Sequence, residues 1–173
     1  MIIMSKLLLI RHAKAEAPAD NLSDHDRALT LAGRTAASEL ATALANAGLV
    51  PTVVLVSSAV RALQTWKLMA PTLGEADVHV LEDLYETNVE GVLEHVNAVA
   101  DNSAVVAVIG HEPTMSATAA HLCGPDSNTT SLQRVAHGLP TGTAALLELD
   151  GAWSTLGQRG AKLTDIYSAQ ALY

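Results

Sequence analysis

Phenylalanine is absent from this 173-residue chain, and aromatic residues make up only 3% of it. A core without Phe has to be built mainly from Ala, Val and Leu, which favours close-packed helices against Val- and Leu-rich strands. Cysteine occurs once, at Cys123, so no internal disulfide is available and a reducing compartment is implied. Cys123 reads as a small buried residue, since no phosphate-cradling Cys-x5-Arg pattern follows it. Basic residues are scarce as well: 10 Lys and Arg against 18 Asp and Glu give a formal net charge of −8. That balance argues against nucleic acid or an anionic membrane as partner. Any phosphate site must therefore be a local positive pocket in an acidic surface. Long apolar runs are missing too, and Met1-Ile2-Ile3-Met4 before Lys6 is too brief for a secretory core. The expectation is a soluble, cytoplasmic protein that starts at Met1 or Met4. No repeat, low-complexity tract or linker divides the chain, so residues 1–173 are read as a single domain. The seven histidines show no His-x-x-x-His or His-Glu-x-x-His spacing, and no metal site is expected.

What is present is an alternation of short apolar runs and helical patterns. Leu7 to Ile10 is a buried strand that ends abruptly in Arg11-His12. A polar loop from Pro18 to Arg27 follows. Thr30 is placed to cap a helix whose stripe includes Ala36, Ala37, Leu40 and Leu44, and which stops at Gly48 and Pro51. A second buried strand, Thr52 to Val56, ends at Ser57-Ser58. The helix after it is expected from Ala59 to Ala70, stopping at Pro71. Val78 to Leu81 is a short third strand, followed by a helix through Val92, Val96 and Val99. Ala104 to Ile109 is a fourth strand ending at Gly110-His111, with Pro113 in the first turn of another helix. Gly124 to Asn128 reads as a loop, Thr143 to Leu149 as the last strand, and the remainder as a weakly patterned tail. Such alternation predicts an α/β fold with a mainly parallel sheet.

In open α/β sheets ligands bind beyond the carboxyl ends of the strands. Three of those ends carry Arg11-His12, Ser57-Ser58 with Arg61 one turn on, and Gly110-His111. Parallel strands bring these residues to one edge, where two guanidinium groups, two imidazoles and a helix start suit a phosphoryl group.

These residues also carry a family resemblance. Leu-Ile-Arg11-His12-Ala13 resembles the Arg-His-Gly signature of the histidine phosphatase superfamily. The run Ser57 to Thr65 resembles its Ser-x-x-x-Arg-Ala-x-x-Thr motif, Gly110-His111-Glu112-Pro113 its distal Gly-His motif, and Leu29-Thr30-Leu31-Ala32-Gly33 its Leu-Thr-x-x-Gly helix start. Arg-His-Ala-Lys-Ala, Asp26 to Thr30 and Leu139-Pro140-Thr141-Gly142 are most similar to the SixA-type phosphohistidine phosphatases. Order and spacing agree along most of the chain.

The resemblance implies a three-layer α/β/α sandwich with a mainly parallel central sheet, phosphoglycerate mutase-like. It also implies two-step phosphoryl transfer. His12 would be the nucleophile that is transiently phosphorylated. Arg11, Arg61 and His111 would hold the phosphoryl oxygens, guanidinium and imidazolium groups standing in for a metal, with no cofactor required. Glu86, in Leu84-Tyr85-Glu86, is the implied proton donor to the leaving group, with Glu82 and Asp83 as substitutes. No glycine follows Glu86 at the family's usual distance. Ser57, Arg27 and Lys14 are further candidates for contact with substrate. The implied substrate is a phosphohistidine on a protein, such as a phosphotransfer domain. The alternatives are a phosphomonoesterase or mutase of the same superfamily acting on a small phosphorylated metabolite, or a catalytically silent phosphate-binding module. The other histidines (His25, His79, His95, His121 and His137) are assigned structural or surface roles, and Trp66 and Trp153 to packing. Oligomeric state is not legible in the sequence.

Overall fold

The computed structural model describes residues 4–169; Met1 lies outside them. A six-stranded sheet forms the middle layer. Its strands are β1 (Ser5–Arg11), β2 (Val53–Ser57), β3 (Asp77–Leu81), β4 (Val105–Gly110), β5 (Thr143–Leu149) and β6 (Lys162–Ser168). In space the order is β3-β2-β4-β1-β5-β6. β1, β2, β3 and β4 pair in parallel, whereas β5 pairs antiparallel with both β1 and β6. β5 alone runs against the rest, so the sheet is mainly parallel.

The helices are α1 (Leu31–Asn46), α2 (Val60–Leu73), α3 (Val89–Asn97), α4 (Thr114–Leu122) and α5 (Thr129–Ala136). Two cores lie on either side of the sheet. Leu8 and Ile10 of β1 face one way and pack with Ala37, Leu40 and Leu44 of α1 and Ala62, Trp66 and Met69 of α2. Leu7 and Leu9 face the other way, toward Val92 and Val96 of α3, Met115 and Leu122 of α4 and Val135 of α5. Burial on both faces explains why β1 reads as an unbroken apolar run. The lack of Phe is met by aliphatic side chains and by Trp153, which is fully buried and donates its indole N–H to the Ser103 carbonyl (2.8 Å). Among the described residues, no helix is long and apolar enough to cross a membrane.

Three sequence expectations need correction. α2 does not stop at Pro71 but runs through it to Leu73. Proline removes an N–H and crowds the carbonyl four residues back. Here both Pro71 and Lys67 are exposed, so the freed carbonyl belongs to the solvated side of the last turn. The tail contains β6. Its buried residues Leu163 and Ile166 are three apart because the pairing register shifts opposite Leu146/Leu147, which conceals the period of two. α5 also goes unread from sequence. Asn128 caps it by accepting from Ser131 N–H (2.9 Å), but it buries only Ser131 and Val135, too little for an apolar stripe.

The chain places β4 between β1 and β2, so three carboxyl ends lie side by side: Arg11 is in register with Gly110, and Val56 with Ile109. The loop after β1 docks on the start of α1. Thr30 accepts from Gly33 N–H (2.9 Å) and donates its own backbone N–H to the Lys14 carbonyl (3.0 Å). A Cβ on Gly33 would stand 2.1 Å from that carbonyl oxygen, which explains the glycine in Leu-Thr-x-x-Gly. Gly33→Ala is therefore expected to push the His12–Lys14 loop outward, at a cost of about 1–3 kcal/mol. Thermal denaturation should show a fall of several degrees, and an unchanged melting temperature would contradict this reading.

Candidate active site

His12 lies one residue beyond β1 and extends its ladder, the backbone N–H donating to the Gly110 carbonyl (3.1 Å). The ring is 7% exposed. Its Nδ1–H donates to the Ala13 carbonyl (2.7 Å), and its Nε2 accepts from Arg61 Nε–H (3.3 Å). That pair of partners fixes the tautomer and leaves the lone pair on Nε2. Burial pushes the His12 pKa down to about 4, with Arg61, Arg11 and Arg27 adding to the effect and the Ala13 carbonyl opposing it. The ring is thus neutral at pH 7, the state a nucleophile needs.

Four residues of the second motif, Ser57, Arg61, Gln64 and Thr65, each have a separate task. Thr65 accepts from Ala13 N–H (3.0 Å) and donates to the Arg61 carbonyl (2.7 Å), tying the His12 loop to α2. Gln64 accepts from Leu29 N–H (2.7 Å). Ser57 Oγ is hydrogen-bonded to His111 Nε2 (2.8 Å) and accepts from Ala59 N–H (3.2 Å). Arg61, in the first turn of α2, is 6% exposed and points its fork at one residue. Nη1 donates to the Asp24 carbonyl (2.8 Å) and Nη2 to Asp24 Oδ2 (3.1 Å).

Asp24 is a component that sequence reasoning missed. It sits in a 3-10 turn, Asp24–Asp26, and its carboxylate also takes the Tyr85 hydroxyl and Arg27 Nε–H (2.9 Å). The Tyr85 hydrogen bond, then Arg27 and Arg61, hold the Asp24 carboxyl well below the usual carboxylate range, and Asp24 in turn raises the Tyr85 hydroxyl. The only advance sign was an acidic loop placed between two arginine-bearing motifs.

His111 follows β4, and its ring centroid lies 5.2 Å from that of His12. Burial, then the neighbouring His12 and Arg61, push its pKa down to about 3. The imidazolium expected at this position is therefore a neutral ring, because burial and the adjacent positive charges oppose protonation. Arg11 donates from Nη1 to the Leu139 carbonyl (3.0 Å). Among the described residues, two buried side-chain nitrogens lack a hydrogen-bond partner: Arg11 Nε and His111 Nδ1. Each such group costs about 1–3 kcal/mol, and both belong to this one cluster.

The folded-state pKa values of His12 and His111 lie below the ordinary 6.5, at about 4 and about 3. Between those values the unfolded chain binds protons that the folded chain does not. Stability from this source is complete above pH 6.5 and is lost as the pH falls toward 4 and 3. The melting temperature should fall over that range, and His12→Ala should make the slope shallower. An unchanged slope in the variant would contradict a buried neutral His12.

The remaining candidates are distributed unevenly. Arg27 is held by Asp24 and by the Glu16 carbonyl (2.7 Å), at the edge of the cluster. Glu86 is exposed and lines an open cleft of about 360 Å³ with His25, Ser58, Glu82 and Tyr85. Asp83 is turned away and paired with His95 (2.8 Å). Lys14 is not brought to the cluster. Its side chain is exposed along a separate groove with Ala32, Ala36, Arg134 and Thr141, and only its backbone carbonyl, at the start of α1, has a structural task. His25, assigned a structural or surface role from sequence, stacks on Tyr85 (4.9 Å) and is hydrogen-bonded to Ser58 Oγ (2.9 Å). Among the described residues, no cluster of three or more His, Cys, Asp or Glu could hold a metal ion.

A strand-end histidine whose Nε2 lone pair faces Arg61, a second histidine beside it and nearby guanidinium groups have the chemistry that suits a phosphoryl group. The family profile described as Histidine phosphatase superfamily (branch 1) matches residues 7–94. An uncharacterized protein of Mycobacterium leprae is 35% identical over 162 residues, 89% of this chain and 96% of that protein. Among solved structures, one from Nakamurella, provisionally assigned as the phosphohistidine phosphatase SixA, is 32% identical with a TM-score of 0.81, covering 94% of this chain and 95% of its own. A similar assignment from Agrobacterium tumefaciens is 28% identical with a TM-score of 0.79, covering 94% and 96%. The chain belongs to the histidine phosphatase superfamily, in its SixA-type form.

Proposed function

We propose that this phosphatase removes the phosphoryl group from phosphohistidine on a protein, through a phosphohistidine of its own at His12. The observation that carries the reading is the neutral His12, its Nε2 lone pair 3.3 Å from Arg61 Nε. In the first step Nε2 attacks phosphorus, and the bond from phosphorus to the leaving nitrogen breaks with its electron pair going to that nitrogen. Arg11, Arg61 and His111 hold the phosphoryl oxygens, whose negative charge offsets the cationic neighbours that oppose protonation of His111. In the second step water attacks phosphorus, the His12–phosphorus bond breaks, and the pair returns to Nε2. Both protons of that water leave with the phosphate, as dihydrogen phosphate.

Two further points support a protein-borne phosphohistidine. The solved relatives at 32% and 28% identity carry that assignment. The cleft beside Tyr85 is open, which suits a phosphoryl group presented on another macromolecule. An imidazole protonated on its ring also leaves readily, so an exposed Glu86 need not be a strong acid. Glu86 remains the proposed proton donor for an ester. The test is hydrolysis of a phosphohistidine-bearing phosphotransfer protein against sugar phosphates and phosphoglycerates. A higher kcat/KM for the protein substrate is expected, whereas faster turnover of a small phosphate would overturn the assignment.

A further inference from the structure

The distal motif has a member whose carboxylate is not used by the chemistry above. Glu112, next to His111, has both oxygens occupied. Oε1 accepts from Ser116 N–H (2.8 Å), and Oε2 accepts from Ser116 Oγ–H (2.7 Å) and from Leu139 N–H (3.0 Å). The Leu139 peptide is bonded on its other side as well, because its carbonyl accepts from Arg11 Nη1 (3.0 Å). Gly138, with φ of +91°, makes the turn out of α5, and a Cβ there would stand 3.2 Å from Glu112 Oε2. Four residues after Gly138, Gly142 N–H donates to the carbonyls of Arg11 (3.1 Å) and His12 (3.0 Å). The segment from 138 to 142 is thus clamped between Glu112 and the end of β1.

We propose that Glu112 is a positioning residue for the phosphoryl site, setting the Arg11 guanidinium through the Leu139 peptide. Glu112 fixes the Leu139 N–H, and the carbonyl of the same residue fixes one nitrogen of the arginine. Arg11 Nε is a buried donor without a partner in the cluster, so its direction depends on how the Nη1 end is anchored. The second half of Gly-His-Glu-Pro and the Leu-Pro-Thr-Gly run, far apart in sequence, are then parts of one device. The proposal rests on the reading of this cluster as a phosphoryl site, but not on phosphohistidine as the substrate.

A double-mutant cycle tests it, with inorganic phosphate binding by calorimetry and kcat/KM on the preferred substrate as its two readouts. Glu112→Ala should weaken both by about tenfold or more, as expected when a reacting geometry is displaced by about an ångström. In an Arg11→Ala background the same substitution should change them by less than about twofold. Equal losses in both backgrounds, or no loss in the native background, would overturn the proposal. So would a wild type whose phosphate affinity is untouched by Arg11→Ala. A merely structural role lowers the melting temperature alike in both backgrounds and gives no such coupling. If Glu112→Ala fails to fold, Glu112→Gln takes its place in the same cycle, with the same two outcomes. The binding readout also keeps the failure of this proposal distinct from a failure to hydrolyse phosphohistidine.

Discussion

His12→Ala should reduce turnover to background, a loss on the order of 10⁴-fold or more, as when the nucleophile of a covalent mechanism is removed. The size follows from its unique place in the cluster. Arg61 Nε–H and the Ala13 carbonyl set its tautomer and rotation, leaving Nε2 as the basic atom. No neighbour can substitute. His111 is oriented by Ser57 through the corresponding nitrogen, and Cys123 is buried with its thiol pushed up by that burial. The fold should survive, because His12 lies just beyond β1 and the alternating Leu7 to Ile10 side chains fill the two cores. Circular dichroism and steady-state kinetics on the purified variant check both halves. Substantial residual turnover would move the nucleophile elsewhere.

Arg61→Ala has the second largest expected effect, about 2–4 kcal/mol of transition-state stabilisation, or about 30- to 800-fold in kcat/KM. Arg61 contacts His12 through Nε and Asp24 through both terminal nitrogens. Removing it takes away the proposed phosphoryl donor and also releases Asp24, whose carboxylate is held by Tyr85 and Arg27 as well. Lysine should not restore the rate, because a single ammonium cannot make the Nε contact and the fork together. Kinetics of Arg61→Ala and Arg61→Lys on one substrate decide the matter. A lysine variant near native activity would reduce Arg61 to a point charge.

The cluster was legible in the sequence where an apolar run breaks into a polar residue. Arg11-His12, Ser57 and His111 all mark such breaks, and parallel pairing of β1, β4 and β2 makes those breaks neighbours. Asp24, Tyr85 and the Glu112–Leu139 pair left no such mark. They reach the site from irregular segments whose paths depend on tertiary packing, and a loop aspartate beside an arginine looks like any solvated ion pair. Lys14 is the converse case, since it stands two residues from His12 in sequence and yet lines a different groove. The protonation state of His111 was equally hidden, for it depends on burial that no motif spacing reveals. In the fold, β1 and β4 were plain because both faces are buried, whereas β6 was obscured by its register shift and α5 by its brevity.

Rapid chemical quench with a radiolabelled phosphoryl donor addresses the role of His12 most directly. Wild-type protein should carry a transient label that survives alkali and is released by acid, and His12→Ala should carry none. A label that persists in the variant, or one that withstands acid, would contradict phosphoryl transfer through this histidine.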